Sequence, residues 1–139
     1  MTKTRHVRIH HAHITVPTSR LEEARRLYLD VLGLEEKPKP AESLKAYPGF
    51  WVKTAGPDLH IGGEETGVDR WQSGAHVALE VDSVEELEEL RTKLIAAGCT
   101  TSEMVDYPGW RRFEWRDLYG NRMEFITPAP SHAPVEAGR

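Results

Sequence analysis

The chain has 139 residues, of which 39% are apolar and 29% charged, with a net charge of −4 and a pI near 6.0. That is the length of one ordinary domain, able to bury roughly two-thirds of its unfolded surface without needing a metal or disulfide simply to fold. An acidic balance argues against nucleic acid as a partner, because a phosphate backbone calls for a basic face. The lone cysteine, Cys99, cannot form an internal disulfide and fits a reducing cytoplasm. The polar start, Met-Thr-Lys-Thr-Arg-His, leads into no long apolar run, so neither a signal peptide nor a membrane-spanning helix is expected.

Ile9 to Val16 reads as the first strand. Alternation puts Ala12, Ile14 and Val16 on one face and His11, His13 and Thr15 on the other. Ser19-Arg20-Leu21-Glu22 has the spacing of a capping box, which predicts a helix start. Leu21, Ala24, Tyr28, Val31 and Leu32 recur at helical spacing, and Gly33 is placed to end the helix. Pro38 and Pro40 mark a connection. Phe50 to Thr54 reads as a strand, Gly56-Pro57-Asp58 as a turn, and Leu59-His60-Ile61 as the opening of another strand. Residues 62 to 74 are polar and rich in turn formers, so the boundary between halves falls there.

The same order then returns. Ala75 to Val81 alternates as a strand, with His76, Ala78 and Glu80 on one face. Ser83-Val84-Glu85-Glu86 is a second capping box. Val84, Leu87, Leu90 and Leu94 form a helical stripe, Glu85 to Glu89 its wet face, and Gly98 the stop. Tyr107-Pro108-Gly109-Trp110 echoes Tyr47-Pro48-Gly49-Phe50. Arg112 to Arg116 reads as a strand, Asp117 to Asn121 as a turn, and Met123 to Thr127 as the last strand. Pro128 to Arg139 reads as a mobile tail. The separations from His11 to His76 and from Gly33 to Gly98 are both 65, and those from Ser19 to Ser83 and from His60 to Glu124 are both 64. The chain is therefore expected to be one α+β domain of two strand–helix–strands modules, module one at about 8–64 and module two at about 74–127.

The repeat singles out two matched pairs, His11 with His76 and His60 with Glu124. Three imidazoles and a carboxylate make a plausible shell for one divalent ion: Zn²⁺, Fe²⁺, Mn²⁺, Co²⁺ or Ni²⁺. His13 shares the face of His11, and a register slip of two would exchange them. His10 is expected to point away, and His6 and His132 to be solvated. Thr15 and Glu80 hold equivalent places on the first strands, Glu80 being either a base or a solvated carboxylate. Tyr107, Trp110, Arg111 and Arg112 adjoin the last strands, where an arginine could hold a carboxylate or phosphate. Phe50, Trp51 and Trp71 read chiefly as core.

His10-His11-Ala12-His13-Ile14-Thr15-Val16, the helix end Leu27-Tyr28-Leu29-Asp30-Val31-Leu32-Gly33-Leu34, and Asp117-Leu118-Tyr119-Gly120-Asn121-Arg122-Met123-Glu124-Phe125 resemble the vicinal oxygen chelate superfamily. That superfamily includes glyoxalase I, extradiol dioxygenases, and fosfomycin- and bleomycin-resistance proteins. The resemblance runs from about Ile9 to Thr127 and implies two βαβββ modules whose curved sheets enclose a metal-binding cleft. It places the four ligand positions on His11, His60, His76 and Glu124. Glyoxalase I has a glutamate at the position of His60, so only Glu124 remains of its proton-transferring pair. The expectation is a metal-dependent enzyme that takes up two oxygens of a small-molecule substrate, of lyase or isomerase type, with Glu124 or Glu80 moving the proton. Thr15, Tyr107, Trp110 and Arg112 would contact the substrate. An Fe²⁺ extradiol-type dioxygenase and a non-catalytic sequestration protein for a small molecule or antibiotic are the alternatives. The resemblance also implies a homodimer.

Overall fold

The computed structural model of the protein describes residues 3–38, 48–65 and 67–129. These form two compact units, one comprising residues up to 29 together with 33–65, the other 30–32 together with the residues from 66 onward. Pro40, Tyr47, His132 and the tail from residue 130 lie outside the described residues.

In unit one, β1 (His11–Val16) leads through a 3-10 turn (Thr18–Arg20) into α1 (Leu21–Arg25), which widens into a π-helical stretch (Arg26–Val31) whose last two residues, Asp30 and Val31, count with unit two. β2 (Glu35–Lys37), β3 (Gly49–Lys53) and β4 (Asp58–Gly63) follow. The sheet order is β1-β4-β3-β2, with β1 parallel to β4 and the other pairs antiparallel. Val16, Ala24, Leu27, Tyr28, Phe50, Val52, Leu59 and Ile61 are buried and form this unit's core. Gly33, at φ 71, ends the helix as expected.

The first capping box does not form. Pro17, at φ −55, starts the 3-10 turn, so Ser19 lies inside a turn rather than at a helix boundary. No side chain caps α1. Glu23, rather than Glu22, pairs with Arg20 across the first turn. The apolar stripe also needs Leu27, which is 3% exposed, because the π-helical stretch shifts the periodicity.

Unit two contains a 3-10 turn (Arg70–Gln72), β5 (His76–Glu80), α2 (Val84–Ala96), β6 (Thr100–Thr101), β7 (Val105–Tyr107), β8 (Trp110–Arg116) and β9 (Arg122–Pro128). The order is β5-β9-β8-β6, with β7 also on β8 and β5 parallel to β9. β6 and β7 are both antiparallel to β8, so together they take the place that β2 has in unit one. Ser102 bridges the gap between them: its amide donates to the Glu114 carbonyl, and its hydroxyl accepts from the Glu114 amide.

Here the serine half of the box forms, while the glutamate bonds the residue before the cap. Ser83 Oγ accepts from the Glu86 amide at 3.1 Å, and Glu86 reaches back to the Asp82 amide at 2.9 Å. Leu87, Leu94, Phe113, Trp115, Met123 and Phe125 are buried. The turn from β8 to β9 is built on Asp117, only 1% exposed. Asp117 Oδ1 accepts from the Tyr119 and Asn121 amides, and Oδ2 accepts from Asn121 Nδ2, all at 2.9 Å. β9 runs through Pro128, and the Ala129 amide donates to the Gly109 carbonyl, so these two residues of the stretch read as a tail belong to the sheet's end. Trp71 is not core: it is 49% exposed, and its ring lies over Gly120, where a Cβ would come within 2.8 Å.

The mixed α+β composition with two open sheets agrees with the class expected. The short strands β2, β6 and β7 were not legible, being two or three residues long and without apolar alternation.

Candidate functional site

In unit one the polar face of the sheet carries a row of rings set by strand register. His13 on β1 is the direct partner of His60 on β4, which is the direct partner of Trp51 on β3. The His13 and His60 rings stack 4.2 Å apart at 17°, and His60 and Trp51 4.5 Å apart at 5°. In this stack the Nε2 of His60 is buried. Gly62 makes room for the His13 ring, since a Cβ there would meet Nε2 at 2.6 Å. Burial, and then the neighbouring His11, hold the His13 imidazole below its ordinary pKa, against the upward pull of Glu64.

His11 is exposed and lies two residues before His13, on the same face of β1. Its register partner is Asp58, its ring packs edge-on to Trp51 at 5.1 Å, and its Nδ1 is 3.0 Å from His10 Nδ1. His10 and His11 are thus in ring contact, edge to face, with centroids 5.2 Å apart. Thr15 donates to Glu64 at 2.6 Å. Glu64 was not singled out from the sequence, because it lies just past β4 in a polar run.

In unit two His76 and Glu124 come together. His76 is the register partner of Arg122, and Glu124 lies two residues further along the same face of β9. His76 Nε2 stands 3.3 Å from Glu124 Oε1. Glu124 is only 7% exposed, and a buried carboxylate requires a compensating positive charge. The guanidinium of Arg112 brings one, with Nη1 3.8 Å from Oε1.

The other edge of the His76 ring is held as well. Nδ1 lies 3.2 Å from the Gly74 carbonyl, which can only accept a hydrogen bond. A proton on Nδ1 leaves the Nε2 lone pair facing a carboxylate oxygen, two acceptors converging on one point. This is the donor set that suits a divalent cation, with the imidazole oriented by its second nitrogen. The pair supplies two donors of the right type for a divalent metal, fewer than the three protein ligands such a site ordinarily has.

Around Glu124 lies a network of charges. Arg112 donates through Nε to Tyr107 Oη at 2.6 Å and through Nη1 to Glu114 at 3.0 Å. Arg122 holds Glu114 with two bonds, 2.8 and 3.0 Å. Burial alone would lower the Arg112 pKa, but the Glu114 hydrogen bond, the Glu124 charge and Tyr107 outweigh it, so the guanidinium is held above its ordinary value. The Arg122 hydrogen bond foremost holds the Glu114 carboxyl below the usual range. Arg111 pairs instead with Asp106 at 2.8 Å. Trp110 is 37% exposed, and Glu80 is exposed.

The structure thus joins His76, Glu124, Arg112 and Tyr107 in unit two, and His13, His60 and Trp51 in unit one. Among the described residues, no group of three or more His, Cys, Asp or Glu side chains converges closely enough to hold a metal ion. Glu114, Arg122 and Gly74 were missed from sequence. Strand alternation places Glu114 and Arg122 on the face of Glu124, but only once the ends of β8 and β9 are known.

The sequence profile of the Glyoxalase/Bleomycin resistance protein/Dioxygenase superfamily matches residues 9–125, and the chain belongs to that superfamily. The superfamily generally uses a divalent metal. Among solved structures, the chain is similar to a Bacillus anthracis protein assigned to the glyoxalase family, with 32% identity, coverage of 92% of this chain and 100% of that one, and a TM-score of 0.74. A glyoxalase/dioxygenase from Nostoc punctiforme shares the fold at 17% identity, covering 93% and 99%, with a TM-score of 0.72. So does a genomically encoded fosfomycin resistance protein from Listeria monocytogenes, at 16% identity, covering 91% and 98%, with a TM-score of 0.66. No curated protein matches the chain significantly in sequence. No helix among the described residues is long and apolar enough to cross a membrane.

Proposed function

We propose that the protein is a metal-dependent enzyme acting on a small molecule that offers two oxygens to the metal, of lyase or isomerase type. The observation that supports this most is the convergence of His76 Nε2 and Glu124 Oε1 at 3.3 Å with the far ring nitrogen tied to a carbonyl. In this reading His76 and Glu124 are metal ligands, and His11 and His60 are the further ones. A divalent cation held by them supplies Lewis-acid polarisation of the substrate oxygens. Glu124 carries the carboxylate that accepts or returns a proton, with Glu80 as the other candidate base. Arg112 holds a fixed positive charge beside Glu124, and its bonds to Tyr107 and Glu114 keep it from swinging away when an anionic oxygen binds. Thr15 and Trp110 complete the proposed substrate contacts. The proposal extends to a homodimer in the cytoplasm.

A second reading, sequestration of a small molecule without turnover, is favoured by the fact that the described residues contain only pairs of converging metal-binding groups. A dioxygenase using Fe²⁺ is a variant of the first reading, for which His11, His76 and Glu124 supply two imidazoles and a carboxylate.

Metal analysis of untagged protein tests both. About one divalent ion per chain, lost in His76→Ala and Glu124→Ala and bound at least about tenfold more weakly in His11→Ala, supports the enzyme. Metal-free protein that still binds small ligands supports sequestration. Activity is then screened with several metals against hemithioacetals, catechols and acyl-thioesters.

A further inference from the structure

Three of the arginines on β8 and β9 meet a carboxylate: Arg111 pairs with Asp106, and Arg112 and Arg122 both pair with Glu114. Arg116, the last residue of β8, is held by neutral oxygens instead. Its Nη1 donates to the Arg70 carbonyl at 3.1 Å and to the Gly120 carbonyl at 2.8 Å, and its Nη2 donates to the Ser73 carbonyl at 3.2 Å. Among the described residues these carbonyls are its hydrogen-bond partners, and none carries a charge to balance the guanidinium. A guanidinium has five N–H donors, so three bonds leave Nε–H and one hydrogen of Nη2 to spare. The adjacent Nε and Nη2 form a fork of the kind that grips a carboxylate or phosphate.

The segment that lends two of these carbonyls is itself fixed. Arg70 is buried, the Trp71 amide donates to Asp69 Oδ1 at 3.1 Å, and the Ser73 amide donates to the Arg70 carbonyl at 3.2 Å. The Trp71 ring lies over Gly120, whose carbonyl Arg116 also holds, so a half-exposed indole stands beside the cation. The guanidinium is therefore oriented before any ligand arrives, and binding need not freeze a loose side chain. Register gives its place. Arg116 is the direct partner of Arg122, and Arg122 of His76, so the three form one row across β8, β9 and β5. Neighbouring strands lie about 4.8 Å apart, which sets the backbones of Arg116 and His76 about 10 Å from each other. We propose that Arg116 binds the anionic group of a small molecule, a carboxylate or phosphate on an apolar stem that lies against Trp71. A charged acceptor bonds an arginine roughly twice as strongly as a neutral one, so such a group outcompetes water at the spare donors. As a subsite for the far end of the substrate, this rests on the proposed function; as an anion site, it does not.

Inorganic phosphate and benzoate are titrated separately into the full-length, metal-free protein, with chloride exchanged out to hold ionic strength constant. Nitrogen–proton NMR follows Arg116 Nε–H and the Trp71 indole N–H. Both anions are expected to shift Arg116 Nε–H saturably, with a Kd of about 1–10 mM, the scale of one charge-assisted contact. Arg116→Met is expected to weaken both at least about tenfold. Trp71→Ala leaves the backbone carbonyls in place; it should weaken benzoate about three- to tenfold, through lost apolar contact, and phosphate by less than about twofold. No saturable shift in wild type overturns the proposal, even if R116M does not fold. So does binding of both anions undiminished in R116M. Benzoate binding unchanged in W71A, or weakened no more than phosphate, overturns the part given to Trp71. If the anions bind as expected and the protein takes up no divalent ion, the proposed function fails and the anion site stands.

Discussion

Gly62 lies directly beneath the ring of His13: a Cβ at that position would stand 2.6 Å from Nε2. The obstructing atom is the far end of a side chain, so Gly62→Ala is expected to rotate the ring off His60 while β4 stays in place. The stability loss should not exceed about 1–3 kcal/mol, the range for overpacking. Ring-current shifts of His13 and His60 in NMR spectra report the stack. Shifts identical to wild type in G62A would show that the close approach does not exist.

The two serines that looked alike in sequence differ in the fold, and their alanine variants should differ too. Ser83→Ala removes a bond to the Glu86 amide and is expected to cost about 1 kcal/mol. Ser19→Ala, inside a 3-10 turn and making no cap, should stay within about 0.5 kcal/mol of wild type. Urea unfolding midpoints at constant slope provide the comparison, and equal losses in the two variants would refute it.

Glu114 ties acid stability to the arginine network. Its carboxyl is held below the usual range, foremost by the Arg122 hydrogen bond. Its contribution is thus complete above the unfolded-state pKa of 4.5 and is lost as pH falls from there through the lower folded value. Glu114→Gln should cost about 1–3 kcal/mol at neutral pH, the scale of hydrogen bonds to charged groups. The gap between variant and wild type should narrow steadily below about pH 4.5. Unfolding curves at several pH values test this, and a gap independent of pH would contradict it.

Cys99 is expected to be inert in the folded chain. It is 7% exposed, and burial, followed by the charge of Asp117, pushes its thiol up to about 11. Only the thiolate reacts, so at pH 8 the reactive fraction is about one in a thousand, and access is limited as well. A disulfide reagent should modify the native protein at least about 100-fold more slowly than the urea-unfolded chain. Comparable rates would place the thiol at the surface.

Much of the architecture could be read from local pattern. The helical stripes, the terminating glycines Gly33 and Gly98, the turn at Asp117 and the strands bearing His11, His60, His76 and Glu124 each depend on residues close in sequence, and the glycines and those four side chains recur in register across the repeat. The site was legible only in part. His76 and Glu124 were singled out by their separations within the repeat, and the structure brings them together. It pairs His13, not His11, with His60, a choice between residues two apart that share a face. Glu114, Arg122 and the Gly74 carbonyl carried no motif at all.

Residue order by itself determined the periodicity of the longer elements, the places where helices must stop, and the duplicated strand–helix–strands plan, because these follow from backbone sterics and from which neighbours along the chain are apolar. Cross-strand partnership was decided only by the folded sheets. Register depends on hydrogen bonds between segments some 45 residues apart, and a slip of one residue would turn every side chain to the opposite face. For the same reason a backbone oxygen could become a partner of His76 without leaving any trace in the identity of its residue, a glycine.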